Sequence, residues 1–185
     1  DLAAALFLSE MIDIRGKFVP TACGRHLKQI DGLAHLVVVP ADKSATGSDL
    51  TISQADLDSL IRSKAAMYTI LETITTSVGL TLKDLSSFFV GGTFGSFIDP
   101  RAAIAIGMLP DLPLESYKPL GNSSLGGAAL ALTSVDFLEE IDGIRDRITY
   151  LELNVNQEFM NRFSAAKFLP HTNAFLFPSV KKVIT

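Results

Sequence analysis

The chain has 185 residues, with 16 Lys and Arg against 20 Asp and Glu, and a formal net charge of −4. Its length fits one domain or one domain plus an extension, and 48% hydrophobic residues with a mean hydropathy of +0.32 suffice for a sizeable core. An acidic balance disfavours nucleic acid, whose binders carry a basic stripe; the longest apolar runs, 33–40 and 102–109, are too short and interrupted to cross a bilayer; and a single cysteine, Cys23, excludes an internal disulfide and any cysteine-ligated zinc or iron–sulfur site within one copy.

The opening, Asp1-Leu2-Ala3-Ala4-Ala5-Leu6-Phe7-Leu8, has no initiator Met and reads like the inside of a helix. A fragment of a longer protein is therefore expected, with a buried helix over residues 1–12. Pro20, Gly24 and Gly32 interrupt residues 18–32, so an irregular excursion or short strands are expected there. The β-branched run of Leu33–Val39 predicts a strand covered on both faces, ended by Pro40 and followed by a loop over 41–49. Thr51-Ile52-Ser53-Gln54 fits a capping box that starts a helix reaching about Val78, with Gly79 just beyond its end. Leu57, Leu60, Ile61, Lys64, Tyr68 and Leu71 share one face, and Met67, Ile70, Ile74 and Val78 widen it.

A buried strand follows at residues 87–90, then a glycine turn, Gly91-Gly92-Thr93-Phe94-Gly95-Ser96. Asp99 and Pro100 suit the N-cap and first position of a helix ending near Gly107. Three prolines make 109–119 a rigid surface connection. Gly121-Asn122-Ser123 opens a helix so rich in Gly and Ala that it can approach a neighbour closely. Residues 135–147 form a further helix, 148–155 a strand, and Asn156 caps a helix over 157–168. The tail from Pro170 is expected to lie against the body. The pattern is α/β.

Chemistry concentrates at the two glycine turns. Diglycine after a strand permits positive φ and a close backbone approach to a ligand, or serves only a tight turn. Gly121-Asn122-Ser123 could aim an amide and free N–H groups at the same anion, or be an ordinary N-cap. Neither stretch is a Walker A loop or a G-x-G-x-x-G. Lys64 either snorkels from its apolar stripe or meets a ligand at the sheet edge. Cys23, beside Gly24 and Arg25, is a lowered-pKa thiol or an inert one. His26, His35 and His171 show no metal-ligand spacing, so no metal site is expected.

The strand ending in Phe88-Phe89-Val90-Gly91-Gly92-Thr93, after a long helix, resembles the adenosine motif of the acetate and sugar kinase, heat-shock chaperone and actin superfamily. Further segments occur in order. They include Arg62-Ser63-Lys64-Ala65-Ala66, Ala105-Ile106-Gly107-Met108-Leu109-Pro110, Leu120-Gly121-Asn122-Ser123-Ser124-Leu125, Thr149-Tyr150-Leu151-Glu152-Leu153 and Phe168-Leu169-Pro170-His171. Together these resemble the C-terminal part of the ATP-dependent reductive activators of corrinoid proteins, over nearly the whole chain and least at 18–32.

The resemblance implies one α/β lobe of an actin-like (ribonuclease H-like) ATPase fold, a mixed sheet flanked by helices. Its start would span 1–50, a nucleotide-wall core 51–134 and a C-terminal extension 135–185. It implies ATP with Mg in the intact protein, and a [2Fe–2S] centre in an N-terminal domain that is missing here along with the first lobe. The partner would be a corrinoid protein of an anaerobe's methyltransferase system, returned from Co(II) to Co(I). Cytoplasmic localisation is implied, and a homodimer stays open. Carried over residue by residue, the nucleotide-side positions are Gly91, Gly92, Thr93 and Phe94, followed by Gly95, Gly121, Asn122, Ser123 and Lys64. Phe94 departs from the small polar residue usual there. No Asp-x-Gly phosphate hairpin of the first lobe is present, so the fragment alone is expected not to hydrolyse ATP. A lobe of a small-molecule kinase of the same superfamily, or a non-catalytic interaction module, are the alternatives.

Overall fold

Ser53 starts the longest helix, two residues later than the expected Thr51. In the computed structural model, which describes residues 1–92, 94–153 and 157–180 and of Phe94 only the backbone, Thr51 belongs to a strand, β3 (Leu50–Ser53). Helix α3 then runs Gln54–Ser77. The Ser53 hydroxyl accepts from the Asp56 N–H at 3.1 Å, and the Asp56 carboxylate accepts from the Ser53 N–H at 2.9 Å. A capping box is present, but strand pairing of Thr51 shifts it along the chain. The far end is as expected: Gly79 takes φ +76, and the N–H groups of Gly79 and Leu80 donate to Thr76 and Thr75 at 3.0 and 2.9 Å. That pair of bonds satisfies the carbonyls the helix leaves open.

Strands β1 (Leu27–Ile30) and β2 (Leu33–Val39) form a hairpin around Asp31 and Gly32. Both take positive φ, +50 and +79, as a tight two-residue hairpin turn requires. β3 pairs antiparallel with β2 and completes a three-stranded sheet. Leu36 and Val37 point to opposite faces and are both buried, but Val38 is exposed, so β2 is covered on both faces only at its centre. A second, parallel sheet joins β4 (Phe88–Gly91) to β5 (Tyr117–Gly121). The α/β class expected therefore holds, with antiparallel and parallel pairing in separate sheets.

Three expectations change here. β4 is not buried, since Phe89 is 60% exposed. The proline-rich connection 109–119 is not a surface strap: Leu109, Leu112, Ser116 and Tyr117 are buried and its end is β5. Pro119 lacks an N–H and is tolerated because, among the described residues, β5 has a neighbour strand on one side only. Residues 148–153 form no strand; 154–156, including the proposed cap Asn156, lie outside the described residues.

Helix α1 (Leu2–Leu8) stops short of residue 12 because Glu10 turns to φ +60 and Ile12 bridges to Phe18. A short α2 (Pro20–Cys23) follows. Asp99 caps α4 (Pro100–Ala105) by accepting from the Arg101 N–H at 3.0 Å, as expected. α5 (Ser123–Thr133), α6 (Val135–Arg145) and α7 (Gln157–Ala166) complete the helices. One core cluster gathers Phe7, Ile12, Leu36, Leu57, Ile61 and Leu169. A second gathers Ala65, Tyr68, Leu112, Tyr117, Ala166 and Phe177. α3 supplies both. The tail lies against the body up to residue 180: Phe177 is buried, and Asp111 accepts from the Ser179 N–H and hydroxyl, each at 2.7 Å. No helix among the described residues is long and apolar enough to cross a membrane.

Candidate nucleotide-binding turns

β4 and β5 run parallel, so both strands end on the same side of their sheet. Each end opens into a turn leading to a helix or helical turn. Gly91 pairs with Gly121 in the strand register, and the Gly92 N–H donates to the Gly121 carbonyl at 2.7 Å. The two glycine turns singled out from the sequence, 30 positions apart, are therefore hydrogen-bonded neighbours. Gly92 (φ +89) and Gly121 (φ +63) both need the left-handed region that glycine favours, and a Cβ on either would meet open space. Gly91 is restricted differently: its Cβ would lie 2.7 Å from the Ser123 hydroxyl.

Asn122 is the N-cap of α5, its side-chain oxygen accepting from the Leu125 N–H at 3.0 Å. The first intrahelical bond runs from the Gly126 N–H to the Asn122 carbonyl at 3.1 Å. The N–H groups of Ser123 and Ser124 have no partner within the helix and sit at its positive end. Asn122 thus does what the ordinary capping reading requires, and it leaves these two donors at an exposed helix start. Gly95 lies in a helical turn, Phe94–Ser96, pressed onto the strand: its Cβ would lie 2.5 Å from Val90 Cγ1. A small cavity of about 100 Å³ beneath is lined by Val90, Gly95, Ile98, Leu109, Tyr117 and Pro119. Tyr117 anchors that floor by donating its phenolic O–H to the Pro110 carbonyl, and burial pushes the phenol up to about 12. Thr93 lies outside the described residues, and of Phe94 only the backbone is placed.

Lys64 is not at these turns. It neither snorkels nor faces a sheet edge: it is fully buried, and its ammonium donates to the carbonyls of Phe168 and, at 2.8 Å, Pro170. Burial pulls it down to about 7. Leu57, Ile61 and Ala65 on the same helix are closed over by the core, which leaves Lys64 no path to water and gives it the carbonyls of a chain segment instead. Cys23 is the inert form of its two readings, buried with its thiol donating to the Met11 carbonyl at 3.2 Å, and burial raises its pKa. The histidines are dispersed. His35 Nδ1 lies 3.1 Å from the Thr51 hydroxyl, while His171 accepts from the Asn173 N–H at 3.0 Å. No group of three or more metal-ligating side chains forms among the described residues.

Sequence reasoning missed β5, which is what brings the second turn to the first. Tyr117-Lys118-Pro119-Leu120 offers little strand signal beside its proline; a parallel partner for β4 was the only pointer.

The fold and paired turns define the class, an actin-like ASKHA domain. The chain belongs to the family described as the C-terminal domain of RACo, the ASKHA domain, whose sequence model matches residues 1–181. A solved structure titled reductive activator for corrinoid, iron-sulfur protein is 37% identical and superposes with a TM-score of 0.88, over 97% of this chain and 29% of that one. The corrinoid activation enzyme RamQ of Eubacterium limosum is 29% identical over 170 residues, which is 88% of this chain and 29% of the relative. The chain spans less than a third of either protein.

Proposed function

We propose that this chain is one wall of the nucleotide site in an ATP-dependent reductive activator of a corrinoid protein. The observation that carries the reading is the Gly92-to-Gly121 hydrogen bond, which sets two open glycine turns and the start of α5 side by side. Among the described residues nothing lies within 4 Å of a Cβ at Gly92 or Gly121, and the Ser123 and Ser124 N–H groups suit an anionic or hydroxyl-bearing ligand. Gly91, Gly92, Gly121 and Ser123 would lie along a nucleoside, with residues 51–134 as its supporting core; Thr93 and Phe94 belong to the same proposal by their place in the motif.

ATP with Mg supplies hydrolytic free energy when bound. This chain's own contribution is to bind and orient: the glycines admit the ligand to the backbone, and Gly95 on Val90 holds the turn rigid. The phosphate-facing lobe, a [2Fe–2S] domain and the reduction of Co(II) to Co(I) in a corrinoid partner belong, in this reading, to the intact cytoplasmic protein. The isolated chain is expected to show no ATP turnover.

The test is ATP affinity of the intact protein carrying Gly92→Val, measured by calorimetry. A β-branched residue at φ +89 distorts the turn, and a loss of at least about tenfold, roughly 1.4 kcal/mol, is expected. Unchanged affinity would favour the second reading, an interaction module. One observation supports that alternative: neither α5 nor α6 has a buried residue.

A further inference from the structure

Away from the glycine turns, three chain segments bring four basic side chains to one open hollow of about 400 Å³. Arg15 and Lys17 come from the turn after α1, Arg62 from α3, and Lys167 from the residue following α7. The hollow is rigidly built. The Gly16 carbonyl accepts from the Gln54 amide at 2.9 Å, and the Phe18 N–H donates to the same side chain at 3.2 Å. The Leu169 N–H donates to the Ile14 carbonyl at 2.8 Å. Gly16 is pressed so closely to α3 that a Cβ would lie 1.9 Å from Ile61 Cδ1.

Charge there runs against the rest of the molecule. One carboxylate, Asp58, lines the hollow, and it already accepts from Lys17 at 2.7 and 2.9 Å and from Gln54 at 2.9 Å. Burial opposes its ionisation, but those bonds outweigh it and hold Asp58 below the usual carboxylate range. Among the described residues, Arg15, Arg62 and Lys167 form no ion pair. A chain of net charge −4 thus carries a concentrated cationic face. All four cations are exposed and spread around a shallow floor, rather than converging as buried donors on one small ion. That arrangement steers and orients a broad partner surface.

We propose that Arg15, Lys17, Arg62 and Lys167 form a docking face for an acidic surface of a protein partner, which, resting on the functional reading above, is the corrinoid protein. The overall negative charge disfavours a nucleic acid there, and four basic side chains around a single carboxylate favour an acidic protein surface. The face also abuts the segment at Phe168–Pro170 whose carbonyls Lys64 holds, so a docked partner presses on ordered structure.

The experiment uses the full-length protein and its Arg15→Ser/Arg62→Ser/Lys167→Ser variant. Affinity for the corrinoid protein is measured at about 50 and about 200 mM NaCl. Wild type should weaken with salt; the variant should bind at least about tenfold more weakly at low salt, with a flatter salt response and unchanged ATP affinity. Equal affinity and equal salt response in the two proteins would overturn the proposal. If wild type binds no corrinoid protein, the functional reading fails, and the face is then tested with a labelled glutamate-rich peptide. Saturable, salt-sensitive binding lost in the variant supports an acidic-protein site, and its absence or persistence in the variant overturns it. Competition by inorganic phosphate or RNA beyond that of chloride at equal ionic strength would also overturn it, in favour of a small-anion or nucleic-acid site.

Discussion

The region around α3 and the region around α5 are built on opposite principles. α3 is buried at Leu57, Ile61, Lys64, Ala65 and Tyr68, and Lys64 and Gln54 on it bond to the segments at Phe168–Pro170 and Gly16–Phe18. α5 carries no charged side chain and α6 interleaves apolar residues with charged ones, yet no residue of either is buried; Leu132 is 88% exposed. The glycine turns sit at the seam, with β4 against the closed half and the start of α5 in the open one. Stability is thus concentrated away from the proposed nucleotide wall. A ligand-facing turn drawn from the weakly packed side can adjust without loosening the core.

The largest effect expected on this contrast comes from Gly107→Ala. Gly107 takes φ +71, and a Cβ there would lie 1.9 Å from the Pro170 carbonyl oxygen. The overlap is with backbone, so either α4 or the Phe168–Pro170 segment must move. A loss of about 3 kcal/mol or more is expected in denaturant unfolding. A loss under about 1 kcal/mol would show that the closed half yields more readily than its packing implies.

Next is Lys64→Met, which leaves the carbonyls of Phe168 and Pro170 without a donor. Unfolding at neutral pH should become easier by about 2 kcal/mol. The pH dependence is the sharper readout. Burial pulls Lys64 from 10.5 down to about 7 in the folded chain. Below pH 7 both states are protonated and the cost of burying the charge is fully present. Above 7 the folded state sheds a proton that the unfolded state keeps, so wild-type stability should rise toward pH 9, by at most about 1.4 kcal/mol per pH unit. The neutral amine retains hydrogens for both carbonyls. Lys64→Met should show no such rise.

That lysine marks where the sequence stopped being informative. Its place in an apolar stripe was plain, but only the fold supplies the carbonyls of residues 104 and 106 positions further along. Local signals were readable: the Gly79 helix end, the Asp99 cap and the span of β2 follow from residues adjacent in sequence. β3 and β5 were not, because each is a short run that becomes a strand only beside its partner. Of the proposed site, both turns were legible, and their hydrogen bond was not, since it depends on β5. The face bearing Arg15 and Lys167 was invisible for the same reason: its members come from three separated segments.

Asn122→Ala tests the seam. An exposed N-cap typically contributes about 1 kcal/mol, and here that loss should fall on α5 alone. Amide exchange at residues 123–126 should accelerate while exchange at the centre of α3 stays unchanged. Equal acceleration in both helices would mean that the two halves unfold as one unit, and the contrast between them would not hold.

The smallest change discriminates most finely. Gly127 lies inside α5, and a Cβ there meets nothing within 4 Å. A helix-interior glycine costs about 0.5–1 kcal/mol relative to alanine. Gly127→Ala should therefore stabilise α5 in this chain by about that amount, read as slower amide exchange across 123–133. In the full-length protein the sign depends on what lies over the helix. If the remaining polypeptide packs closely on its small residues, the added methyl will clash and stability will fall. If α5 stays open, the gain will carry over. Opposite signs in the two settings would show that the exposed helix is an interface within the larger protein; the same sign would show that its Gly and Ala residues serve the turn and not a neighbour.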